Sequence, residues 1–278
     1  MDQYTDIALA CSRLTTNRYS TSFSLGIKLF NKKYHQPIYA IYGFVRFADE
    51  IVDTYHDQDQ ALLLDRFSKE TFDAIGRGYS SNPILQSFQW VVNEYRIDPE
   101  LIRAFLRSME MDLTMKRFTT EEFKTYVYGS AEVVGLMCLR VFYRDDDEAY
   151  RRLTGSARKL GEAFQKINFL RDIRDDYHHR GRIYFPDTNL DNFLTHRKVE
   201  IEDDIEEDFR EAHAGIRELP RDVRNGVYLA YRYYRELLKK IRSTPAEEIL
   251  ERRFRVSNRQ KIWLLVKAWL RNRAGLIK

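Results

Sequence analysis

Residues 161–176 have the sequence GEAFQKINFLRDIRDD, in which polar side chains recur at the spacing of an α-helix. Residues three and four apart share one helical face, because the helix turns once in about 3.6 residues. That face carries Gly161, Gln165, Asn168, Asp172 and Asp176, with Arg171 one step aside. Two aspartates four residues apart repel each other by roughly a few tenths of a kcal/mol, and a bound cation would remove that repulsion. The segment therefore predicts a helix with a cation-binding face.

A second polar stripe lies in residues 42–53, which read YGFVRFADEIVD. On a helix, one face carries Tyr42, Arg46, Asp49 and Asp53, and apolar side chains cover most of the other faces. A polar stripe with apolar flanks favours an interior cleft over bulk water. An isolated Asp-x-x-x-Asp pair is usually a solvated helix face, but two such pairs, each with a nearby arginine, indicate a shared site.

The remaining sequence also has a helical pattern. The 278 residues include only 12 glycines and 6 prolines, and the prolines fall between stretches with apolar residues three and four apart. Asp98 before Pro99 is typical of a helix start, and Thr119 with Glu122 has the spacing of a capping box. Sustained two-residue alternation does not occur, so we predict an all-α fold of about eight to ten helices. No Gly/Pro/Ser-rich linker is visible, which predicts a single domain over residues 1–278.

Composition excludes several classes of protein. Hydrophobic residues make up 44% and charged residues 32%, which is the balance of an ordinary globular protein. Apolar stretches such as residues 38–45 are far shorter than the roughly 18 residues of a membrane span, and the first residues lack the features of a signal peptide. Cys11 and Cys138 are too few for a disulfide framework or a zinc site. The few cysteines and the lack of a signal peptide predict a cytoplasmic protein. The net charge of only +4 predicts that it has no nucleic-acid partner.

Positive charge is concentrated near the C-terminal end of the sequence. Residues 251–278 contain nine Lys or Arg and one acid, interleaved with an apolar run at 262–266 and with Trp269. A basic amphipathic helix of this kind can lie on an anionic lipid surface. We expect peripheral association with the inner face of the membrane. The alternative is that these apolar residues form a last core helix with a solvated edge.

The two aspartate stripes suggest a particular chemistry. Mg²⁺ takes oxygen ligands and usually bridges one or two carboxylates to substrate phosphates. Two aspartate pairs on facing helices would hold Mg²⁺ ions around a diphosphate, and Mn²⁺ is compatible with the same ligands. Arg46 and Arg171 would bind the phosphate oxygens through paired hydrogen bonds. The sequence has no Gly-rich phosphate loop and no Gly-x-Ser-x-Gly, so nucleotide-dependent and serine-hydrolase functions lack support.

The two aspartate stripes and several other segments of the sequence resemble the squalene/phytoene synthase family of prenyltransferases. The similarity follows family order through most of the chain, and the most specific match is the stretch from Gln165 to Pro186. The matching segments are YSTSF at 19–23, RFADEIVD at 46–53, MDL at 111–113 with 126–135, 165–176 with GRIYFP at 181–186, and 253–261. This resemblance implies an isoprenoid-synthase-type helical bundle around a central cavity.

The resemblance also implies roles for individual residues. The Mg²⁺ ligands would be Asp49, Asp53, Asn168, Asp172 and Asp176. The residues that contact the diphosphate or the reacting carbons would be Arg46, Tyr126, Gln165 and Arg171. The first substrate would be seated by Tyr19, Ser20, Ser22 and Phe23. Arg182 would close a flap over the site, and Tyr234 and Arg253 would contact substrate from the late helices. Two alternatives remain open, since Tyr234 suits ordinary core packing and Arg182 suits a helix-ending surface position.

The reaction implied by the resemblance is the head-to-head joining of two prenyl diphosphates. We expect two geranylgeranyl diphosphates to form phytoene through a cyclopropylcarbinyl (prephytoene) diphosphate, in carotenoid biosynthesis and without NADPH. A carotenoid desaturase is then the expected downstream partner. The nearest alternative is squalene or dehydrosqualene synthesis from farnesyl diphosphate. A non-catalytic assembly protein on the same fold, or a cyclising terpene synthase, fits the two intact aspartate pairs and the sequence from Asn168 to Arg182 less well.

Three positions depart from the family pattern. Glu132 stands where the central signature usually has glycine, and the sequence allows it either to face outward or to alter the shape of the pocket. Glu50 and Tyr19 stand where some relatives have Asp and His. Ile27 lies about one turn beyond Ser22 and Phe23, where a side chain of its size would leave more room for substrate than an aromatic ring.

Overall fold

The computed structural model describes residues 1–189, 193–249 and 254. No β-strand occurs among them, and the helices confirm the all-α prediction. The helices are α1 (Gln3–Tyr19), α2 (Thr21–Lys28), α3 (His35–Thr54), α4 (Gln60–Arg77), α5 (Pro83–Tyr95), α6 (Pro99–Thr114), α7 (Thr120–Val127), α8 (Val133–Phe142), α9 (Asp147–Arg180), α10 (Lys198–Glu218), α11 (Arg221–Arg242) and α12 (Ala246–Ile249). These are twelve helices in the described residues, more than the expected number. The excess comes from short elements such as α12 and from a π-turn at Tyr128–Glu132 that separates α7 from α8.

The predicted helix starts are present. Asp98 accepts a hydrogen bond from the backbone of Glu100 at 2.9 Å, and Pro99 occupies the first turn of α6. Thr119 and Glu122 form the expected capping box at the start of α7. These bonds satisfy backbone groups that a helix end leaves without an internal partner.

Two clusters of buried apolar side chains form the core. The first is built mainly on α1, α3, α4, α5, α6 and α8, and at its centre the rings of Phe44 and Phe88 stack with centroids 3.8 Å apart. The second is built mainly on α9, α10 and α11. Val227 packs against both clusters. The single-domain assignment of residues 1–278 stays a prediction.

Helix α9 is the element that positions most of the site. It runs over 34 residues and ends at Gly181, whose φ of 61° is the left-handed conformation that glycine adopts without strain. Beyond this turn, the backbone N–H of Ile183 donates to the carbonyl of Lys116 at 3.1 Å. The segment that follows α9 is thereby held against the end of α6.

A buried charge network holds the opposite side of α9 against α10. The Nζ atom of Lys166 lies 2.7 Å from carboxylate oxygens of both Glu162 and Asp208, and Lys166 and Asp208 are 3% and 1% exposed. Breaking a buried ion pair of this kind costs several kcal/mol, so the pairing is tightly specified. Because Lys166 follows Gln165 directly, the network sets the rotation of α9 that turns Gln165 toward the cavity described below.

None of the helices in the described ranges is both long enough and apolar enough to cross a bilayer. The cytoplasmic location stays a prediction. The basic segment for which we expect membrane association lies outside the described residues, with the exception of Phe254.

Candidate active site

The first aspartate stripe projects from α3 beside a stacked arginine. The guanidinium of Arg46 donates to the carboxylates of Asp49 and Glu50, with an Nη2–Oε2 distance of 2.9 Å to Glu50. It also lies over the ring of Tyr19, 4.5 Å from the ring centroid. Glu50, which replaces the aspartate of some relatives, therefore holds the arginine and accepts a second bond from Thr54 at 2.6 Å.

The second stripe projects from α9. The guanidinium of Arg171 contacts Asp172 through two atoms, with Nε–Oδ1 at 3.0 Å and Nη2–Oδ2 at 2.5 Å. Asn168 donates to Gln165 at 3.3 Å and accepts from the hydroxyl of Tyr234 at 3.2 Å. The ring of Tyr234 stacks on Phe164 at 3.9 Å, and burial raises its pKa to about 12. Tyr234 thus packs in the core and also orients a predicted metal ligand.

Each stripe has a neighbouring or member residue in the lining of one cavity. Tyr42 on α3 and Arg171 on α9 both line that cavity. Burial raises the pKa of Tyr42, and the positive charges of Arg46 and Arg171 oppose that rise, so both guanidiniums lie within electrostatic reach of its hydroxyl. One residue next to or within each stripe therefore reaches the same cavity, and the joint metal site of the four aspartates stays a prediction.

A third group of side chains adjoins the aspartates. The carboxylate of Asp112 accepts from Tyr126 at 2.8 Å, from Arg182 at 2.7 Å and from Tyr184 at 3.3 Å. Burial raises the pKa of Asp112 to about 6; the negative charge of Asp53 adds to this rise, and Arg182 and the two hydroxyls oppose it. Asp112 is a site residue to which the sequence interpretation assigned no role, although the segment MDL around it matched the family's central signature.

These contacts contradict one of the roles considered for Arg182, and closure of a flap over the site stays a prediction. Its side chain is only 11% exposed and is bound to Asp112, so a helix-ending surface role is wrong. Tyr126 is 3% exposed, commits its hydroxyl to Asp112, and lies beside the cavity rather than in its lining. Contact of Tyr126 with the reacting carbons stays a prediction.

The cavity itself has a volume of about 400 Å³ and is mostly apolar. On α9 the lining runs from Leu153 to Arg171, a length of roughly 27 Å at the rise of an α-helix. Of the predicted site residues, the lining includes Ser20, Ser22, Phe23, Gln165, Asn168, Arg171 and Tyr234. Gln165, Asn168 and Arg171 form the last part of the α9 lining, and from Leu153 to Phe164 the one polar side chain on α9 in the lining is Ser156, whose hydroxyl donates to the carbonyl of Glu211. The cavity therefore has a polar end at Arg171 and a mainly apolar end at Leu153.

The early serine segment contributes to the polar end. Ser20 caps α2 by accepting from the backbone of Phe23 at 3.2 Å, and the ring of Phe23 stacks on Tyr42 at 4.6 Å. Tyr19 is 51% exposed and lies outside the lining, where it covers Arg46. Ile27 is 1% exposed and lines the cavity one turn farther from the polar end.

Glu132 is neither on the surface nor in the cavity lining. It is 6% exposed, and its Oε2 atom lies 2.5 Å from Nε of Arg158 on α9. Glu132 therefore neither faces outward nor lines the pocket, which were the two positions considered from the sequence. Instead it forms an ion pair that joins the π-turn to α9. Arg253, the last of the predicted substrate residues, lies outside the described residues.

The polar end suits a Mg²⁺ ion whose ligands come partly from the protein and partly from the diphosphate of the substrate. In the described part of the chain, no three His, Cys, Asp or Glu side chains come together as a metal site by themselves. Mg²⁺ commonly completes its coordination with substrate phosphates, so paired carboxylates on α3 and α9 with the amide oxygen of Asn168 form a suitable donor set. The Nε atom of Arg46 is buried without a hydrogen-bond partner among the described residues.

Comparison with known proteins agrees with this geometry. The family model for squalene/phytoene synthase matches residues 16–260. The chain is 29% identical to a phytoene synthase of Arthrospira platensis, with 94% of this chain and 92% of that protein covered. It is also 29% identical to the 4,4′-diapophytoene synthase of Staphylococcus haemolyticus strain JCSC1435, and the alignment covers 68% of this chain and 65% of that protein. A solved dehydrosqualene synthase shares the fold, with a TM-score of 0.83 at 23% identity over 98% of this chain and 99% of that one. The chain therefore belongs to the squalene/phytoene synthase family.

Proposed function

We propose that the protein is a Mg²⁺-dependent phytoene synthase that joins two geranylgeranyl diphosphates head to head. Family membership supports a prenyltransferase of this reaction class. The observation that carries the choice of substrate is the length of the cavity lining between Arg171 and Leu153. The phytoene synthases among the relatives favour the same substrate class.

The length argument uses simple bond geometry. A prenyl unit has four chain bonds, which extend to roughly 5 Å on bond lengths like those of a polypeptide backbone. A C20 chain then spans roughly 20 Å and, with its diphosphate at Arg171, fills the roughly 27 Å of lining. A C15 chain leaves about one prenyl unit empty at the apolar end. Ile27, which lines the wall, leaves the room that a longer chain requires.

The residues at the polar end bind and orient the leaving group. Arg46 and Arg171 donate to diphosphate oxygens, and Tyr234 holds Asn168 in place. Mg²⁺, held by the aspartates and Asn168, would neutralise the diphosphate charge that grows as the carbon–oxygen bond breaks. Gln165 lines the cavity one turn before Asn168 on α9, and the role we propose for it is contact with the reacting carbons.

The apolar part of the cavity suits the carbocation chemistry. The first carbon–oxygen bond breaks with its electron pair leaving on diphosphate, and the double bond of the second molecule attacks the allylic cation. Loss of a proton closes the cyclopropane ring. A second ionisation, rearrangement and proton loss give a C40 hydrocarbon with a central double bond, so no hydride donor is required. The rings of Phe23, Tyr42 and Phe164 offer electron-rich faces to these cations and exclude water.

A second candidate is the C15 reaction that gives dehydrosqualene or squalene. The relative named 4,4′-diapophytoene synthase, at the same 29% identity as the phytoene synthase, favours it. The same polar end would serve both reactions, and only the occupancy of the apolar end differs.

A product assay tests the proposal. Purified enzyme with Mg²⁺ receives C15 or C20 diphosphate, each with and without NADPH, and products are identified by mass. A C40 hydrocarbon formed from the C20 substrate and unaffected by NADPH is the expected result. Efficient conversion of the C15 substrate to squalene only with NADPH would contradict the proposal. EDTA should abolish turnover, and excess Mg²⁺ should restore it.

Two further features of the proposal concern the surroundings of the enzyme. The apolar product has no charged group, so an enzyme that acts on hydrocarbon chains, such as a carotenoid desaturase, would consume it. Membrane attachment through residues 251–278 would bring the product close to a lipid phase. Flotation with anionic vesicles at low salt tests the attachment, and absence of binding would count against it.

A further inference from the structure

The apolar end of the cavity has a defined floor. Helices α8 and α9 run antiparallel, since a side chain at Gly135 would meet the carbonyl of Ala157 and one at Gly161 would meet that of Ala131. Phe142, the last residue of α8, therefore lies at the same end as Leu153, far from Arg171. Phe30 joins them, because its ring makes an edge-to-face contact with Phe142 at 5.5 Å.

The position of the Phe30 ring is set by a glycine. A Cβ atom at Gly226 would lie 2.2 Å from Cε1 of Phe30 and 2.3 Å from the carbonyl oxygen of Gly26. The absence of a side chain at 226 lets α2 and α11 approach closely and lets the ring lie directly on α11. Phe142 also contacts the ring edge to face, so two neighbours restrict the movement of the ring.

The backbone around Phe30 is held as well. The carbonyl of Phe30 lies 3.0 Å from Nε2 of His35, and its N–H donates to the carbonyl of Ile27 at 3.0 Å. The next N–H, that of Asn31, donates to the carbonyl of Asp222 at 2.8 Å, at the start of α11. Removal of the ring would therefore deepen the cavity while the chain around it keeps these bonds.

We propose that Phe30 is the floor of the prenyl-chain tunnel and sets the longest chain the enzyme accepts. The proposal rests on the proposed function, in which the chain end points away from Arg171. Ile27 lies along the wall and governs whether a chain passes, whereas Phe30 stands where the chain must stop. A longer chain has to displace a ring that Gly226, Phe142 and the local backbone bonds hold in place. A benzyl group is about the size of one prenyl unit, so its loss should admit one more unit.

The test measures kcat/KM for C15, C20 and C25 prenyl diphosphates with wild type, Phe30→Ala and Phe30→Leu. We expect Phe30→Ala to raise the C25-to-C20 ratio by roughly tenfold or more, the discrimination that a few buried carbons support. Phe30→Leu should raise it less, and longer products should appear by mass. Phe72→Ala is the control, because Phe72 packs against the core under Arg103 and does not line the cavity.

Wild type and variants test separate statements. A wild type that prefers the C15 substrate would overturn the proposed function. The role of Phe30 would then be tested by whether its variants raise the ratio of kcat/KM for C20 to that for C15. Thermal unfolding and circular dichroism check that each variant folds, and Phe30→Leu carries the test where Phe30→Ala unfolds. The assignment of Phe30 as the floor would be overturned if the kcat/KM ratios between longer and shorter substrates were the same in the Phe30 variants as in wild type and Phe72→Ala.

Discussion

Asp112 and Arg182 are 70 residues apart in the sequence, and their side chains form an ion pair with a 2.7 Å contact between Nη1 and Oδ1. Arg182 also donates to the backbone carbonyl of Asp112, so its guanidinium binds both the side chain and the main chain of Asp112. This pair fastens the segment after α9 to the end of α6. It also holds the hydroxyls of Tyr126 and Tyr184 beside the aspartates of the site.

The Asp112–Arg182 pair should make activity depend on pH. Protonation of Asp112 as the pH falls through about 6 removes the charge that holds Arg182, so kcat should fall there. Asp112→Asn should have low activity at every pH and lack this acid limb. The check is a pH–rate profile of both proteins. An unchanged acid limb in Asp112→Asn would show that another group is responsible.

The carboxyl group of Asp112 should also make the free energy of unfolding decrease as the pH rises, whereas activity should increase with pH. Its pKa in the folded protein, about 6, is above the ordinary 3.8, so the folded state binds this proton more tightly than the unfolded chain. The contribution of Asp112 to the free energy of unfolding therefore decreases as pH rises through that interval. Denaturant unfolding at several pH values should show wild type losing stability relative to Asp112→Asn as pH rises from 3.8 to about 6.

The four aspartates should be required for turnover and not for folding. Replacement by asparagine removes a charged metal ligand while keeping the size of the side chain. We expect each of Asp49→Asn, Asp53→Asn, Asp172→Asn and Asp176→Asn to lower kcat/KM by roughly 100-fold or more, the upper end of the loss seen for residues that merely support a ligand. The matched control is Asp65→Asn on α4, whose exposed ion pair with Lys69 is remote from the site. Turnover near wild type in the four site variants would contradict their assignment as metal ligands.

Ile27 should influence substrate length from the wall of the cavity. Ile27→Phe places a ring in the lining and should lower kcat/KM for the C20 substrate relative to C15, by roughly tenfold. Ile7→Phe makes the same substitution at a 53% exposed position on α1 and should leave the ratio unchanged. Equal ratios in the two variants would indicate that the chain does not pass Ile27.

Tyr234 should act mainly through its hydroxyl. Tyr234→Phe keeps the stack on Phe164 and removes the hydrogen bond to Asn168. Such a bond contributes about 0.5–1.5 kcal/mol, so activity should fall by roughly two- to tenfold, with a higher Mg²⁺ requirement. Tyr79→Phe, at a 58% exposed position, is the control. Mg²⁺ titrations that coincide for wild type and Tyr234→Phe would contradict the positioning role.

Local patterns in the sequence were enough to predict both aspartate stripes and the all-α fold. Each stripe depends only on helical spacing, and the caps at Asp98 and Thr119 depend on residues within one turn. The arginine beside each pair added the expectation that the two stripes share one site, and Tyr42 and Arg171 do line the same cavity.

What required the tertiary structure were the relationships between distant parts of the chain. The partner of Asp112 depends on where the segment after Gly181 returns, and an isolated aspartate in α6 carries no local signal of that. Burial of Glu132 against Arg158, and the floor that Phe30 forms on Gly226, likewise arise only when helices pack. Helix spacing and capping are short-range and can be read from neighbouring residues. Ion pairs, close glycine contacts and cavity ends depend on which helices meet, and the packing of the whole core decides that.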